Sequence, residues 1–243
     1  IFGGIHRGFT PPSSGALKIL NFGEGIEDSG LDLQAEKSWN KELGIRGSSF
    51  LLNYEIAMFH IAIENLVAAG RGTAFKNLGK VKSFGLETAV DFHLSKYSSL
   101  LPNIGIAYTF LVTEVVDGLI ISNVQPVDVE VSIKGKKLPY SPNHTVNVGS
   151  EFRITPNHSF RIDYKYVSKC YTDFQNIEFE DDIGVTGPIP SYGLINISAN
   201  MKLNERINFF MTGKNIQDKS YIGSRLHSNP GLKEAGISSG IIP

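Results

Sequence analysis

Apolar and polar residues alternate with a period of two along most of this chain, the pattern of strands with two unlike faces. Between Gly193 and Leu203 one parity holds Gly193, Ile195, Ile197, Ala199, Met201 and Leu203, and the other Leu194, Asn196, Ser198, Asn200 and Lys202. From Phe160 the apolar parity runs Phe160, Ile162, Tyr164, Tyr166, against Arg161, Asp163 and Lys165. Val146, Val148, Phe152 and Ile154 oppose Asn147, Glu151 and Arg153. Leu86, Val90, Phe92 and Leu94 oppose Glu87, Asp91 and His93. Helical spacing fits none of these segments.

The connections alternate in length as well. Short turns are predicted at Gly47-Ser48-Ser49, Lys96-Tyr97-Ser98-Ser99, Thr155-Pro156-Asn157 and Asn204-Glu205. Between them lie longer polar stretches at 10–31, 69–77, 117–139 and 177–190, and a last one from Leu226. Such alternation gathers the short turns at one end and the long loops at the other, as in transmembrane barrels. Soluble sandwiches mix connection lengths at both ends. About nine strands are predicted, at 2–9, 34–46, 51–66, 78–93, 102–115, 141–154, 159–174, 192–203 and 207–221. Most exceed the ~9–11 residues that a tilted strand needs to cross a bilayer. The expected fold class is all-β, an antiparallel meander forming part of a transmembrane β-barrel. No helix and no domain linker is predicted.

Composition narrows the classes. Glycine (25), phenylalanine (15) and tyrosine (9) favour strands and turns, and a net charge of −1 argues against a nucleic-acid partner. The single cysteine, Cys170, excludes an internal disulfide and a cysteine zinc site, and it reads as a small packed side chain. No stretch reaches the ~18 apolar residues of a membrane-spanning helix. The start Ile1-Phe2-Gly3-Gly4 carries neither an initiator Met nor a signal peptide, so the chain is expected to be cut from something longer.

Six ordered segments resemble the TonB-dependent siderophore receptors, closest to the ferric-dicitrate type. They are Gly4-Ile5-His6-Arg7-Gly8-Phe9-Thr10-Pro11-Pro12; Glu36-Lys37-Ser38-Trp39-Asn40-Lys41-Glu42-Leu43-Gly44-Ile45-Arg46; Asn77-Leu78-Gly79-Lys80 with Gly85-Leu86-Glu87; Leu138-Pro139-Tyr140-Ser141-Pro142-Asn143-His144; Tyr171-Thr172-Asp173-Phe174-Gln175-Asn176; and Gly213-Lys214-Asn215-Ile216-Gln217-Asp218-Lys219-Ser220-Tyr221. Each also has a local reading. Gly44 relieves crowding within a strand, Pro139 and Pro142 sit where a loop enters a strand, and Asn215-Ile216-Gln217-Asp218 interrupts the last strand with turn formers. The resemblance implies that residues 1–243 are a C-terminal part of the receptor barrel, about nine of its roughly twenty-two strands. It further implies an upstream plug domain with a TonB box, and a closing strand, which these residues do not include.

Little else suggests chemistry. Gly236-Ile237-Ser238-Ser239-Gly240 matches a nucleophile elbow but leaves no room for the acid and histidine that follow the serine, so it reads as a loop. His6, His60, His93, His144, His158 and His227 show no metal-binding spacing. Gly23-Glu24-Gly25 lacks the context of a phosphate loop. The acidic run 178–182 reads as a solvated loop, with a calcium site as the sharper alternative. The sequons at Asn143, Asn157 and Asn196 carry no implication in a bacterial outer membrane.

The function implied by the resemblance is energy-coupled uptake of a ferric chelate across the outer membrane of a Gram-negative-type bacterium. No bond is broken and no cofactor is held; the Fe(III) chelate is cargo. The implied partners are the TonB complex, reached through the plug, together with outer-membrane lipid and lipopolysaccharide. Planar arginine forks suit an anionic chelate, which points to Arg7, Arg71 and Arg225 near the outer strand ends. His227 and Asn229 join them because the family's last outer loop contributes polar contacts. Lys134, Lys136 and Lys137 suit lipopolysaccharide phosphates at least as well as ligand. The rival readings are a passive porin-like channel and a soluble all-β binding or adhesion domain.

Overall fold

The alternation folds as one antiparallel meander. A computed structural model describes residues 1–11, 33–69, 75–122, 129–180, 184, 186–225 and 241–242. Its strands are β1 (Phe2–Thr10), β2 (Glu36–Ser48), β3 (Leu52–Ala69), β4 (Phe75–His93), β5 (Asn103–Ile121), β6 (Glu130–Ser132), β7 (His144–Thr155), β8 (His158–Val167), β9 (Tyr192–Lys202), β10 (Asn208–Gly213), β11 (Ser224–Arg225) and β12 (Ile241–Ile242). The sheet runs β1-β2-β3-β4-β5-β7-β8-β9-β10, with β6 pairing the far end of β5. β11 and β12 form a separate two-stranded ladder. Among the described residues β1 and β10 each have a single neighbour, so the sheet is open.

Register decides which residues share a face, because directly paired residues in an antiparallel ladder point the same way. One row reads Leu52, Phe92, Ile104, Ser150, Ile162, Ile197 and Gly213. The next row, one residue along each strand and so on the opposite face, reads Asn53, Asp91, Gly105, Gly149, Asp163 and Asn196. Along these rows the sheet is apolar on one face and polar on the other from β3 to β9. Ile195, Ile197, Ala199 and Met201 lie on the apolar face, and Asn196, Ser198, Asn200 and Lys202 on the polar one. A one-residue slip would exchange every side chain between the two media, which is what fixes the register.

Short connections close one end. The β2–β3 turn is held by Ser49 N–H donating to the Leu52 carbonyl at 2.7 Å. A 3-10 turn at Leu94–Lys96 leads into β5, with the Ser95 hydroxyl donating to Asn103 Oδ1 at 2.7 Å. Asn204 Oδ1 accepts from Arg206 and Ile207 N–H at 2.9 Å each, an Asx turn between β9 and β10.

The other end carries the buried core. Leu78, Val81, Val115, Ile120 and Ile133 pack together, with Ile63, Leu66, Val131, Leu138 and Phe174 against them. The segment after β6 follows β5 back: Ile133 N–H donates to Gly118 O at 3.0 Å and Val115 N–H to Lys136 O at 2.8 Å. Here the β3–β4–β5 ladder shifts register. Gly79 (φ 122°) permits the shift, since a Cβ there would stand 2.1 Å from the Asp117 carbonyl oxygen.

The expected nine-strand meander is present, with different ends. β5 runs to Ile121 rather than 115, because its outer half is paired by β6 and buried in that core. β8 stops at Val167 rather than 174: the chain then leaves the sheet, and Cys170 bridges to Ile189. β10 stops at Gly213 rather than 221, where Asn215 (φ 48°) and Asp218 (φ 49°) turn the chain.

Candidate functional site

Three loops meet at the end opposite the short turns, and asparagine side chains join them. An asparagine amide offers one acceptor and two donors, so it can stand in for a strand's peptide group. Asn176, itself in the left-handed region (φ 55°), accepts from Lys137 N–H at 2.7 Å and donates to Lys137 O at 2.9 Å. That binds the β8–β9 loop to the β5–β7 loop. Asn143 does likewise within the latter, donating to Leu111 O at 2.7 Å and accepting from Lys137 Nζ at 2.6 Å. After β10, Asn215 both donates to and accepts from the Lys219 backbone, and Tyr221 packs on Tyr192 with ring centres 4.8 Å apart.

Arg225 links all three loops. Only 2 % of it is exposed. Its guanidinium donates to the Pro188 carbonyl (2.9 Å from Nη2), the Gly184 carbonyl (2.8 Å from Nη1) and the Glu180 carboxylate. Its own carbonyl accepts from the Tyr140 hydroxyl at 3.0 Å. Tyr140 holds φ 54°, a conformation that an aromatic residue keeps only where its surroundings impose it. Its N–H donates to Tyr171 O at 2.7 Å, which anchors the strained residue on its second side. A buried cation demands such a set of acceptors, because removing its water without replacement is costly.

A second ionic clasp lies at the surface. Glu178 accepts from Lys169 Nζ and from the Tyr171 hydroxyl. The Lys169 bond, with the Tyr171 bond behind it, holds the Glu178 carboxyl below its ordinary value of 4.5. In return Glu178 raises Lys169 and Tyr171 above theirs. Two carboxylates of the acidic run are thus engaged by side chains of the protein itself. Burial pushes the neighbouring Cys170 thiol up, in keeping with a packed, unreactive side chain.

Below the loops, the polar face offers a charged wall. Arg161 grips Asp163 through Nε (2.8 and 2.9 Å) and Nη2 (2.6 Å), with Asp91, Glu151 and Lys165 on the same face. Gly105 and Gly149 lie side by side between Asp91 and Asp163, and the Arg161 guanidinium and the Asp163 carboxylate lie over Gly149, where a Cβ would meet them. Such a face suits a wet or protein-filled lumen. Among the described residues no three metal-ligating side chains cluster.

The sequence-predicted site residues fall in different places. Arg225 is the loop anchor just described. Arg7 stands on the apolar face, paired in register with Trp39, its guanidinium carbon 5.6 Å from the indole centre. Arg71, His227 and Asn229 lie outside the described residues. Of the three loop lysines, Lys137 is tied to Asn143, and Lys134 stands exposed beside the Gly135 turn. The asparagine stitches went unpredicted; Asn143 and Asn176 stood within resembling segments, but their partners are 32 and 39 residues away.

Comparison with known proteins agrees with this geometry. Residues 1–216 match a family model described as "TonB dependent receptor-like, beta-barrel". The ferric yersiniabactin uptake receptor FyuA from Yersinia pestis is similar in structure (TM-score 0.67, 18 % identity, 93 % of this chain and 31 % of that one). So are the siderophore receptor PiuA from Acinetobacter baumannii (0.65, 19 %, 90 % and 30 %) and the ferric citrate transporter FecA in its unliganded form (0.63, 24 %, 77 % and 27 %). The similarity is shared among several receptors, and none stands apart. This chain spans about 30 % of the length of these structures. No curated protein sequence matches it.

Proposed function

The chain belongs to the TonB-dependent receptor β-barrel family, and from that membership we propose that it walls part of a receptor importing a ferric chelate. Its place is the bacterial outer membrane, where the apolar face meets lipid and the polar face lines the lumen. The observation that carries the reading is a two-faced meander with three of its connections stitched together among the described residues, in a chain whose residues 1–216 match the family model.

In this reading residues 1–243 are a C-terminal part of the barrel. Further strands pair with the open edges of β1 and β10, because lipid supplies no partner for exposed N–H and C=O groups. A plug domain from elsewhere in the protein fills the lumen against Asp91, Arg161 and Asp163 and carries the TonB box. In this reading the chelate is a carboxylate-bearing Fe(III) complex of the ferric citrate kind, which planar arginine forks in the outer loops would suit. Arg71, His227 and Asn229 contact it from the outer loops. Arg225 holds those loops in shape, and Arg7 faces lipid. The barrel moves its cargo without making or breaking a bond.

The test is uptake of radiolabelled ferric citrate into a receptor-deleted strain carrying the complete gene, with and without TonB. Uptake that needs TonB supports the proposal. Equal uptake in both strains makes the protein a passive channel, and no uptake of any ferric chelate overturns the function.

A further inference from the structure

The apolar face is not apolar throughout. At the loop end of β1 and β2 it carries Arg7, Lys37 and Lys41, all exposed. Lys37, Trp39 and Lys41 project from the same side of β2 at intervals of about 7 Å, set by the two-residue repeat of a strand. Arg7 lies over Trp39. Among the described residues none of the three cations has an ion pair. On the adjoining strands the pattern differs: Lys80 lies 3.5 Å from Glu64, and Lys82 3.0 Å from Glu114. Glu64 faces Lys37 in register, yet its carboxylate is turned to Lys80.

Directly towards the membrane from Lys41 the same face dips. Gly3 has no side chain to fill the row it shares with Leu43, Met58 and Leu86. The resulting depression, shallow and open to the outside, is walled by Ile5, Leu43, Met58 and Phe84, with Lys41 and His60 at its rim. A cationic triad with an interfacial indole thus stands above an apolar trough. Cations and Trp at this depth meet phosphate-bearing headgroups, and a trough beneath them receives a chain.

We propose that this face of β1–β4 is a binding site for a phosphorylated, acylated lipid of the outer leaflet. Its phosphates sit among Arg7, Lys37 and Lys41, and one acyl chain lies in the hollow beside Gly3. The assignment rests on the barrel reading above, which places this face in lipid.

The experiment uses the complete receptor, purified in detergent, stripped of lipid and titrated with lipopolysaccharide, dephosphorylated lipopolysaccharide or inorganic phosphate. Heat-modifiable gel mobility checks folding of every variant. Lipopolysaccharide should bind, and its dephosphorylated form at least about tenfold more weakly. K37Q and K41Q should each weaken binding about fivefold and the triple variant with R7Q about a hundredfold, since each basic residue near an anionic surface contributes ~1 kcal/mol. K80Q, whose lysine is already neutralised by Glu64, should change it less than about twofold. Wild-type affinity in K37Q and K41Q overturns the site; so does inorganic phosphate binding as tightly as lipopolysaccharide, which would assign the triad to a free anion. If the triple variant does not fold, a photo-crosslinking residue at Trp39 should capture lipopolysaccharide and one at Tyr164 should not; equal capture overturns the proposal. Loss of the site in a receptor that stays folded in detergent leaves the barrel reading intact. A receptor that stays folded and monodisperse without detergent overturns that reading instead.

Discussion

The membrane wall and the outer loop cluster use the same residue types in opposite ways. In the wall, Leu43, Met58, Phe84 and Ile162 stand between a third and two thirds exposed. In the cluster, Val115 and Ile133 are fully buried. The wall therefore has no protein core of its own: its backbone is satisfied by continuous ladders and its apolar face by lipid. The cluster is packed as a water-soluble core is, with polar atoms cross-linked by Asn143, Asn176 and Arg225. A barrel of this kind is thus two structures in two solvents, and a substitution should be felt in only one of them.

The largest effect that separates the two is a cavity in the cluster. Ile133→Ala should cost about 2–5 kcal/mol of local stability, as other large-to-small core changes do. Hydrogen exchange in the complete receptor should show protection lost over 129–143 while 192–202 is unchanged. Ile197→Ala, on the wall, should leave exchange unaltered, because lipid fills the gap. Loss of protection in both regions by either change would erase the distinction.

Charge reverses the sensitivity. Ile197 sits in a row with Ile162 and Gly213. Ile197→Arg should cost about 2–4 kcal/mol of barrel stability if that row lies near the midplane. Urea unfolding in detergent or lipid measures it, and an unchanged midpoint would count against the facing.

Next comes the anchor of the cluster. Arg225→Met removes the donors that satisfy the Pro188 and Gly184 carbonyls. Leaving buried acceptors unpaired costs about 1–3 kcal/mol, expected as faster exchange or proteolysis of the β8–β9 loop with the wall's melting unchanged. Affinity for the chelate proposed above should fall with it, because the loops lose their shape; full affinity would mean that Arg225 holds nothing that ligand needs.

The smallest effect is one of pH. Glu178 is lowered, so its contribution is complete above its ordinary 4.5 and is lost as pH falls through the lower folded value. Lys169 and Tyr171 are raised, so theirs is complete below their ordinary 10.5 and 10.0 and is lost as pH rises through the higher folded values. Protection of the 168–180 segment, corrected for intrinsic exchange, should therefore stay flat from about pH 5 to 9 and decline only in stronger acid or base. A midpoint near neutrality would contradict the clasp.

The same division explains what the sequence reveals. Each wall strand meets two media, so its residues alternate, and β9 can be read almost to its end: 192–203 expected, Tyr192–Lys202 found. The outer half of β5 reads Val115, Val116, Asp117, Gly118, Leu119, Ile120, where a local core replaces lipid and the alternation dissolves. Strand ends therefore went unseen where the cluster begins. The site was less legible still. Arg225 reads as a free fork, because nothing nearby in sequence reveals acceptors some forty residues upstream. Arg7 reads as a loop-end cation, and only pairing with Trp39 places it on the apolar face.

The central claim, that the two faces of this sheet meet lipid and lumen, is tested most directly by spin labels placed singly at 195 to 200 of β9 in the complete receptor. Accessibility to oxygen, which concentrates in lipid, is compared with that to a polar nickel complex. The account predicts alternation at every residue, with Ile195, Ile197 and Ala199 oxygen-accessible and Asn196, Ser198 and Asn200 reached by the polar reagent. Equal accessibility at all six, or the opposite phase, would contradict it.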